Sequence, residues 1–242
     1  MNERKTPLKL LSIIIPCLNE EDSIAEIIAR CQAADTLGLD IEILVVDDGS
    51  QDRSPNIVKD LEEKDPQIRL VRQARNFGKG AAIRRGFSLA MGDLMLVQDA
   101  DLEYDPADYP LLLEPLVQGA ADVVYGSRFR GDQPRRLVYY WNGVANRILT
   151  GLSNAMTNIN FSDMECGYKV FHRDVLERIT LCENRFGIEP EITAKICRLR
   201  PKLRIYEVGI RFWGRTYEEG KKIGFMDGIR ALYCIIRYNL FT

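Results

Sequence analysis

Short apolar runs alternate with amphipathic stretches from Leu10 to Tyr125. The first run, Leu10–Ile15, is rich in β-branched side chains and ends at Pro16, which indicates a strand that is buried on both faces. Asn19–Asp22 follows as a helix start, ahead of apolar residues at helical spacing. The same alternation predicts strands at 41–46, 68–71, 94–98 and 122–125, and helices at 53–63, 80–91 and 106–117. We therefore predict an α/β protein with a mostly parallel sheet flanked by helices, in which ligands bind beyond the carboxyl ends of the strands.

The second half of the chain has longer and more polar segments. It predicts helices over 135–156, 173–179 and 190–197, a polar segment over 157–169 and a strand over 203–212. In residues 221–242, apolar side chains share one helical face and Lys222, Arg230 and Arg237 lie among them, which predicts a short basic amphipathic C-terminal helix. The longest uncharged stretch, Ile148–Ser162, has 15 residues and many polar side chains, so we expect no transmembrane segment.

Charge is distributed unevenly along the chain, although the formal net charge is only −2. Residues 1–194 carry 22 basic and 31 acidic side chains, whereas residues 195–242 carry 11 basic and 4 acidic ones. The small total argues against a nucleic-acid partner, because it provides no overall basic field. The acidic part favours a bound cation, and the basic part favours phosphates or an anionic membrane surface.

Histidine and cysteine limit the chemistry further. His172 is the single histidine, so sites that need two imidazoles are excluded, and we expect this residue to be structural. The six cysteines include no C-x-x-C pair. We expect them to be buried thiols of a reducing compartment.

Two groups of carboxylates follow predicted strands. Asp47 and Asp48 come directly after the second strand, and Asp99, Asp101 and Glu103 come after the fourth. Carboxylates that meet at one sheet edge repel each other and favour a hard divalent cation. An Asp-x-Asp pair also leaves coordination positions for substrate phosphate oxygens. The pattern therefore predicts a metal and nucleotide site, while a simple turn-capping role stays the alternative for Asp47 and Asp48.

Seven motifs resemble one enzyme family in order and spacing. Those in the first half are Ile13–Glu21, Val45–Ser50, Asn76–Ala81 and Asp99–Asp101. With them, the sequence resembles family 2 glycosyltransferases of the GT-A (Rossmann-like) fold. Three later motifs resemble the branch that moves sugars onto polyprenyl phosphates, the dolichol-phosphate mannosyltransferase type, and these are Asp163–Phe171, Phe186–Glu191 and Gly214–Gly228. The resemblance implies a catalytic domain over residues 8–220, followed by the helix at 221–242.

The resemblance assigns roles to residues that match the motifs. Nucleotide-sugar binding is implied for Pro16, Leu18, Glu20, Val46, Asp48, Asp99, Ala100 and Asp101. Binding of a divalent cation, Mg²⁺ or Mn²⁺, is implied for Asp99, Asp101 and Glu103. Contact with the acceptor phosphate is implied for Arg128, and contact with the donor pyrophosphate or the acceptor phosphate is implied for Arg215 and Lys221. The expected catalytic residues are Asp101, Arg128 and Arg215. Two positions depart from the family pattern, since Leu18 stands where Tyr is frequent and Glu103 where Gln is found.

Gly78 and Lys79 belong to a glycine-rich turn ahead of the third predicted helix. The turn lacks the spacing of a Walker loop or a dinucleotide fingerprint. We expect its backbone to approach the nucleotide at a helix start, with a simple tight turn as the alternative.

The implied reaction is an inverting, metal-dependent transfer of a hexose from a nucleoside-diphosphate sugar, of the GDP-mannose or UDP-glucose type, to a polyprenyl (dolichyl or undecaprenyl) phosphate. A phosphate acceptor is already an anion near neutral pH, so such a site needs cations and no strong base. Because the isoprenoid tail stays in the bilayer, we expect a cytoplasmic protein held peripherally at the cytoplasmic face of a membrane, with or without a membrane-protein partner. The C-terminal helix would rest on that surface or pack on the sheet.

Two other functions stay open. One is a family 2 glycosyltransferase acting on a glycan, protein or other alcohol, which would need a general base. The other is a non-catalytic nucleotide-sugar-binding subunit, against which the intact Asp99 and Asp101 argue.

Some charged residues have two interpretations. Asp163 and Glu165 border the acceptor site or form a structural turn, and Glu189 and Glu191 lie near the sugar or only start a helix. Arg215, Lys221 and Lys222 either meet phosphates or form a solvated basic face.

Overall fold

The structure, a computed structural model, describes residues 8–131, 134–137, 139–200, 202–216, 218 and 224–241. Within these residues the chain forms seven strands: β1 (Leu10–Cys17), β2 (Asp40–Asp47), β3 (Ile68–Arg72), β4 (Leu94–Val97), β5 (Val123–Ser127), β6 (Lys169–His172) and β7 (Ile205–Gly209). The same part of the chain forms eight α-helices: α1 (Ile24–Ala33), α2 (Ser54–Glu62), α3 (Lys79–Leu89), α4 (Tyr109–Val117), α5 (Tyr140–Thr157), α6 (Arg173–Leu176), α7 (Ile188–Arg198) and α8 (Phe225–Leu240).

The strands form one sheet in the order β3-β2-β1-β4-β6-β5-β7. The pairs β1 with β2, β1 with β4, β2 with β3 and β5 with β7 are parallel, whereas β6 is antiparallel to both of its neighbours. The predicted mostly parallel α/β sheet is therefore confirmed. Strand β6 lies partly in the predicted polar segment and was not expected as a strand, because it has only four residues and includes Lys169 and His172.

The core fills both faces of the sheet, as the continuous apolar strands predict. On one face Ile13 and Ile15 of β1 join a cluster with α1 and α4, and on the other face Ile14 joins a cluster with α3 and α7. All three isoleucine side chains are fully buried. Each such burial stabilises the fold by about 1.5–3 kcal/mol.

Helix α5 begins later than predicted. The pattern indicates a helix from residue 135, but α5 starts at Tyr140. Arg135 instead forms an isolated parallel bridge with Phe212, and the Arg136 N–H donates to the Phe212 carbonyl. The residues after Pro134 are thus held in an extended pairing, which local helical periodicity cannot reveal. The helix ends before Asn158, whose φ of 53° is left-handed.

Helix α8 packs against α7 through one face and exposes the other. Cys234 and Tyr238 are buried against Ala194 of α7. Glu183 accepts hydrogen bonds from Tyr238 Oη at 2.8 Å and from Arg230 at 2.9 Å. Within the described residues, no helix has both the length and the apolar character needed to cross a bilayer. The division of the chain at residue 220 stays a prediction.

Candidate functional site

Most of the described residues for which the motifs predict a role lie at the carboxyl edge of the parallel strands. Asp47 ends β2, the loop with Asp99 and Asp101 follows β4, and Arg128 directly follows β5. Because β6 is antiparallel, it begins at this same edge, where Lys169 pairs with Val97 of β4. The topology thus brings acidic and basic side chains from distant parts of the sequence into one region.

Asp99 is held by a cation and by a close backbone approach. Lys79 Nζ lies 2.7 Å from Asp99 Oδ1 and 3.0 Å from Oδ2. On another side lies Gly167, where an added Cβ would come within 2.5 Å of Asp99 Oδ2. Glycine is therefore required at position 167, because any side chain would displace the carboxylate.

Asp101 is paired with Arg215. The Arg215 guanidinium lies 2.6 Å from Asp101 Oδ2, and the Arg215 N–H donates to Glu103 Oε1 at 2.6 Å. Burial raises the pKa of Asp101 to about 7, with further contributions from the negative charges of Asp99 and Glu103, which Arg215 opposes.

The backbone between Asp101 and Glu103 is strained. Leu102 has a φ of 58°, a left-handed conformation that residues other than Gly, Asn and Asp rarely adopt. Such conformations persist where the surrounding structure holds them and concentrate at functional sites. Here the Glu103 N–H donates to Asp101 Oδ1 at 3.2 Å, which ties the two acidic residues into one turn.

A buried ion pair lies behind Asp99 and Lys79. Lys169 and Glu189 are almost fully buried and bonded to each other, and Lys169 also donates to the Cys166 carbonyl. Glu189 Oε1 lies 3.7 Å from Lys79 Nζ. The order of charges is therefore Lys169, Glu189, Lys79 and Asp99. The proposed contact of Glu189 with the sugar stays a prediction.

Asp48 organises the loop that precedes α3. Its Oδ1 accepts from the Phe77 N–H and from Gln73 Nε2, both at 2.8 Å, and its Oδ2 accepts from the Gly78 N–H at 2.7 Å. Burial raises the pKa of Asp48, while the two backbone donors act in the opposite direction. Gly78 has a φ of 104°, a backbone conformation that residues with a side chain rarely adopt, so this position favours glycine. The nucleotide-binding roles predicted for Asp48 and Gly78 thus fall on residues that shape the loop.

The other residues predicted to contact the nucleotide lie at the ends of β1, β2 and β4. Pro16, Leu18 and Glu20 are half-buried, and Glu20 Oε2 is 3.5 Å from the Arg215 guanidinium. Ala100 is buried beside Asp99. The Val46 side chain is fully buried in the core next to α3, so it offers no surface to a ligand, and only its backbone is available for the predicted contact.

Arg128 is bonded to Asp163 by two side-chain contacts. Its Nε and Nη2 lie 2.6 and 2.7 Å from the two carboxylate oxygens, and Asn146 of α5 also donates to Asp163. Burial opposes ionisation of Asp163, but Arg128 and these hydrogen bonds outweigh it and lower the Asp163 pKa. The Arg128 guanidinium also lies 5.3 Å from the centre of the Phe212 ring. Asp163 is thus structural support for Arg128.

One short segment connects the two cationic regions. Phe212 contacts Arg128, and Arg215, three residues later, contacts Asp101. An extended chain covers about 10 Å over three residues. The donor and acceptor roles predicted for these arginines thus fall on neighbouring parts of one surface. Phe212 was not singled out in the sequence, and no local pattern identifies it.

The donor set around Asp99 suits a hard divalent cation. Carboxylate oxygens are the ligands that Mg²⁺ and Mn²⁺ prefer, and Mg²⁺ is often bound by one or two carboxylates together with substrate phosphates. Among the described residues, no group of three Asp, Glu, His or Cys side chains is arranged to hold a metal ion. Asp99 and Asp101 supply carboxylate oxygens of the kind such an ion prefers, and substrate oxygens would have to complete its coordination. Metal ligation by Asp99, Asp101 and Glu103 stays a prediction.

The remaining candidates have different positions. Glu191 is fully buried and accepts the backbone N–H groups of Cys182 and Glu183, so it holds the loop ahead of α7. Burial raises the pKa of Glu165 to about 7, and the nearby Glu189 adds to this effect. His172 is buried in β6.

Lys221 and Lys222 lie outside the described residues.

Lys169 is a site residue whose burial and pairing the sequence does not clearly predict. The only local signal is that Lys169 directly precedes the apolar pair Val170 and Phe171, which is consistent with a buried and therefore paired charge.

Comparisons with known proteins agree on the family. The sequence profile described as glycosyl transferase family 2 matches residues 12–180. An undecaprenyl-phosphate 4-deoxy-4-formamido-L-arabinose transferase of Edwardsiella ictaluri is 33% identical over 239 residues, which cover 98% of this chain and 69% of that protein. The protein of the same name from Aeromonas hydrophila is 30% identical over 233 residues, which cover 96% of this chain and 68% of that protein.

Solved structures share the fold. The crystal structure of glucosyl-3-phosphoglycerate synthase from Mycobacterium tuberculosis in complex with Mn²⁺, uridine diphosphate and phosphoglyceric acid matches with a TM-score of 0.75. The match covers 97% of this chain and 80% of that chain at 19% sequence identity. At this identity the likeness concerns the fold alone.

Proposed function

Because the chain belongs to glycosyltransferase family 2, in its polyprenyl-phosphate branch, and is a glycosyltransferase, we propose that it transfers a sugar from a nucleoside-diphosphate donor to undecaprenyl phosphate or a related polyprenyl phosphate. The main supporting observation is the pairing of Asp99 and Asp101 with Lys79 and Arg215 at the carboxyl edge of the sheet. Two carboxylates and two cations at one edge provide contacts for a metal ion and for a diphosphate.

Asp99 and Asp101 would hold Mg²⁺ or Mn²⁺ in this proposal. Such an ion stabilises the negative charge that develops on the departing diphosphate. Arg215 lies beside Asp101 and Lys79 beside Asp99, and both cations bind the phosphates, while Asp48 and Gly78 shape the loop next to the nucleotide. The transfer inverts the anomeric centre, because a single displacement brings the acceptor in from the face opposite the leaving group.

The acceptor is held by cations and needs no strong base. Arg128 is oriented by Asp163, and its side chain keeps 18% of its surface exposed. It lies on the same surface as Arg215, so a phosphate that contacts Arg128 approaches the donor. A polyprenyl phosphate is ionised near neutral pH and attacks without losing a proton. An alcohol acceptor, in contrast, would need a general base at this position.

The lipid acceptor implies that the protein works at a membrane surface, on the cytoplasmic side where nucleotide sugars are found. Helix α8 supports this assignment, because Met226, Leu240 and Phe241 expose 71%, 63% and 76% of their surface. Arg230 and Arg237 lie on the same helix. Arg237 suits anionic headgroups, while Arg230 is half exposed and paired with Glu183. A basic amphipathic surface of this kind serves as a membrane contact or as a contact for a membrane-protein partner.

A transfer assay with parallel donors tests the function. We suggest incubating the protein with Mg²⁺ or Mn²⁺, undecaprenyl phosphate and radiolabelled GDP-mannose, UDP-glucose, UDP-N-acetylglucosamine or UDP-linked 4-deoxy-4-formamido-L-arabinose. The proposal expects one donor to give an organic-extractable product that depends on the lipid phosphate. Transfer to an alcohol acceptor with indifference to undecaprenyl phosphate would select the glycan or protein acceptor class. Nucleotide-sugar binding without any turnover would select a binding subunit.

A further inference from the structure

The two carboxylates expected to bind metal already have cationic partners within the protein. Lys79 Nζ is 2.7 Å from Asp99 Oδ1, and the Arg215 guanidinium is 2.6 Å from Asp101 Oδ2. All four side chains keep between 16% and 22% of their surface exposed, so the pairs are within reach of ligands from solution. A divalent cation that binds these carboxylates must therefore compete with Lys79 and Arg215.

Each of the two cations has a second carboxylate close by. Glu189 Oε1 is 3.7 Å from Lys79 Nζ, on the side away from solvent. Arg215 has Glu20 at 3.5 Å and Glu103 at 3.6 Å. Either cation can thus leave its aspartate without losing all its ionic partners, which keeps the cost of displacement low.

The charges of the site also favour joint binding of a cation and a diphosphate. Five carboxylates and three cations meet there, so the formal charge leaves room for one divalent cation. Once that ion is bound to Asp99 and Asp101, Lys79 and Arg215 are no longer neutralised by these carboxylates and can bind an incoming anion. The participating side chains are Glu20, Asp99, Asp101, Glu103, Glu189, Lys79, Lys169 and Arg215.

We propose that Lys79 and Arg215 are exchangeable counterions: they neutralise Asp99 and Asp101 while the donor site is empty, and they transfer to the donor diphosphate when a divalent cation takes the two carboxylates. Metal ion and nucleoside diphosphate then each bind weakly alone and tightly together. This coupling is reciprocal, because each ligand must raise the affinity of the other by the same factor. The inference rests on the proposed donor site, but it concerns the order and coupling of binding.

Mn²⁺ binding without turnover tests the inference. Free Mn²⁺ is measured by electron paramagnetic resonance on the full chain, first alone and then with saturating GDP or UDP. We expect the diphosphate to tighten Mn²⁺ binding roughly 10-fold or more in the wild type. In Lys79→Gln and in Arg215→Gln, Mn²⁺ alone should bind about 3- to 10-fold more tightly than in the wild type, because a competing positive charge is gone. The gain from the diphosphate should shrink in both variants.

Matched variants separate this effect from changes in global charge or folding. Arg30→Gln removes an equal charge from an exposed pair with Glu26 on α1 and should bind Mn²⁺ like the wild type. Lys79→Arg keeps the cation and should restore weak binding of Mn²⁺ alone. Lys79 and Arg215 are tested in separate variants. If circular dichroism shows that one glutamine variant is misfolded, the other variant still decides the test.

The outcomes are distinguishable. The inference is overturned if Mn²⁺ binds both glutamine variants no more tightly than it binds the wild type, while GDP or UDP still strengthens binding in all of them. Absence of Mn²⁺ binding in every arm, with either diphosphate present, would contradict the proposed metal-assisted donor site as well.

Discussion

The carboxylate of Asp99 is fixed from two directions, by the Lys79 ammonium and by the backbone of Gly167. Asp101, two residues later, is fixed by Arg215. In the proposed donor site, the positions of both carboxylates determine where the metal ion and the diphosphate lie, and small displacements of catalytic groups have large effects on rate. The chemistry at this edge therefore depends on residues that themselves do not react.

Gly167→Ala tests that dependence. The added Cβ would come within 2.5 Å of Asp99 Oδ2, so the carboxylate must shift. We expect kcat/KM for sugar transfer to fall roughly 10- to 100-fold with the fold intact. Gly143→Ala on α5 is the matched control, because a Cβ there meets nothing within 4 Å. Equal activities of the two variants in a steady-state assay would argue against a constrained Asp99.

The lowered pKa of Asp163 predicts how the free energy of unfolding depends on pH. Burial disfavours its ionisation, but Arg128 and hydrogen bonds lower its folded pKa below the unfolded value of about 4. Its contribution is thus present above pH 4 and is lost as the pH falls through the folded pKa. Asp163→Asn should lower the free energy of unfolding by about 3 kcal/mol near neutral pH, because Arg128 loses its partner.

Urea unfolding at several pH values measures this effect. The loss of stability on acidification should be smaller in Asp163→Asn than in the wild type. Glu26→Gln, in an exposed pair with Arg30, serves as control and should change stability by less than about 1 kcal/mol. Parallel pH curves for the wild type and Asp163→Asn would exclude Asp163 as the responsible group.

The sequence identifies some residues of the candidate site and not others. Asp99 and Asp101 could be predicted, because a strand, a motif and a charge pattern coincide there. Phe212 could not, since its contact with Arg128 joins residues far apart in the chain. Lys169 is intermediate, because its burial follows from the antiparallel pairing of β6.

Secondary-structure elements with strong local patterns were predicted well. The parallel strands and α1 to α4 have long apolar runs or helical spacing, and their bounds agree with the prediction within a few residues. Two failures have one cause. Strand β6 and the extended segment at Arg135 are stabilised by pairing with distant residues, so their own sequences carry no sufficient signal.

Helix α8 carries a prediction about membranes. Its inner face packs on α7, while Met226, Leu240 and Phe241 are exposed. The protein should sediment with phosphatidylglycerol liposomes at low salt and less so at high salt, since each basic side chain near the surface contributes about 1 kcal/mol that salt screens. Replacing the three apolar residues by serine should abolish sedimentation.

A control for the liposome experiment is available on another part of the surface. Met91 is 63% exposed in the turn between α3 and β4, and Met91→Ser should leave sedimentation unchanged. No sedimentation of the wild type at either salt concentration would refute the membrane role of α8.

At the scale of the whole molecule, the net charge of −2 conceals an acidic part, residues 1–194, and a basic part, residues 195–242. Carboxylates from the first part of the chain meet Arg128, which directly follows β5, and Arg215, in the segment after β7, at one edge of a single sheet. The acidic side chains there favour a metal ion and the basic ones favour phosphates. This arrangement is what a transfer between a diphosphate donor and a phosphate acceptor requires.

Sugar transfer by Asp101→Ala tests the central claim most directly. The wild type and the variant are compared by the initial rate at which radiolabelled sugar from the preferred donor enters undecaprenyl phosphate, with circular dichroism as the check on folding. We predict that the wild type forms the lipid-linked sugar and that the folded variant loses at least about 100-fold in rate, because the proposed metal ligand at position 101 is removed. A folded variant with a rate near that of the wild type would contradict the account.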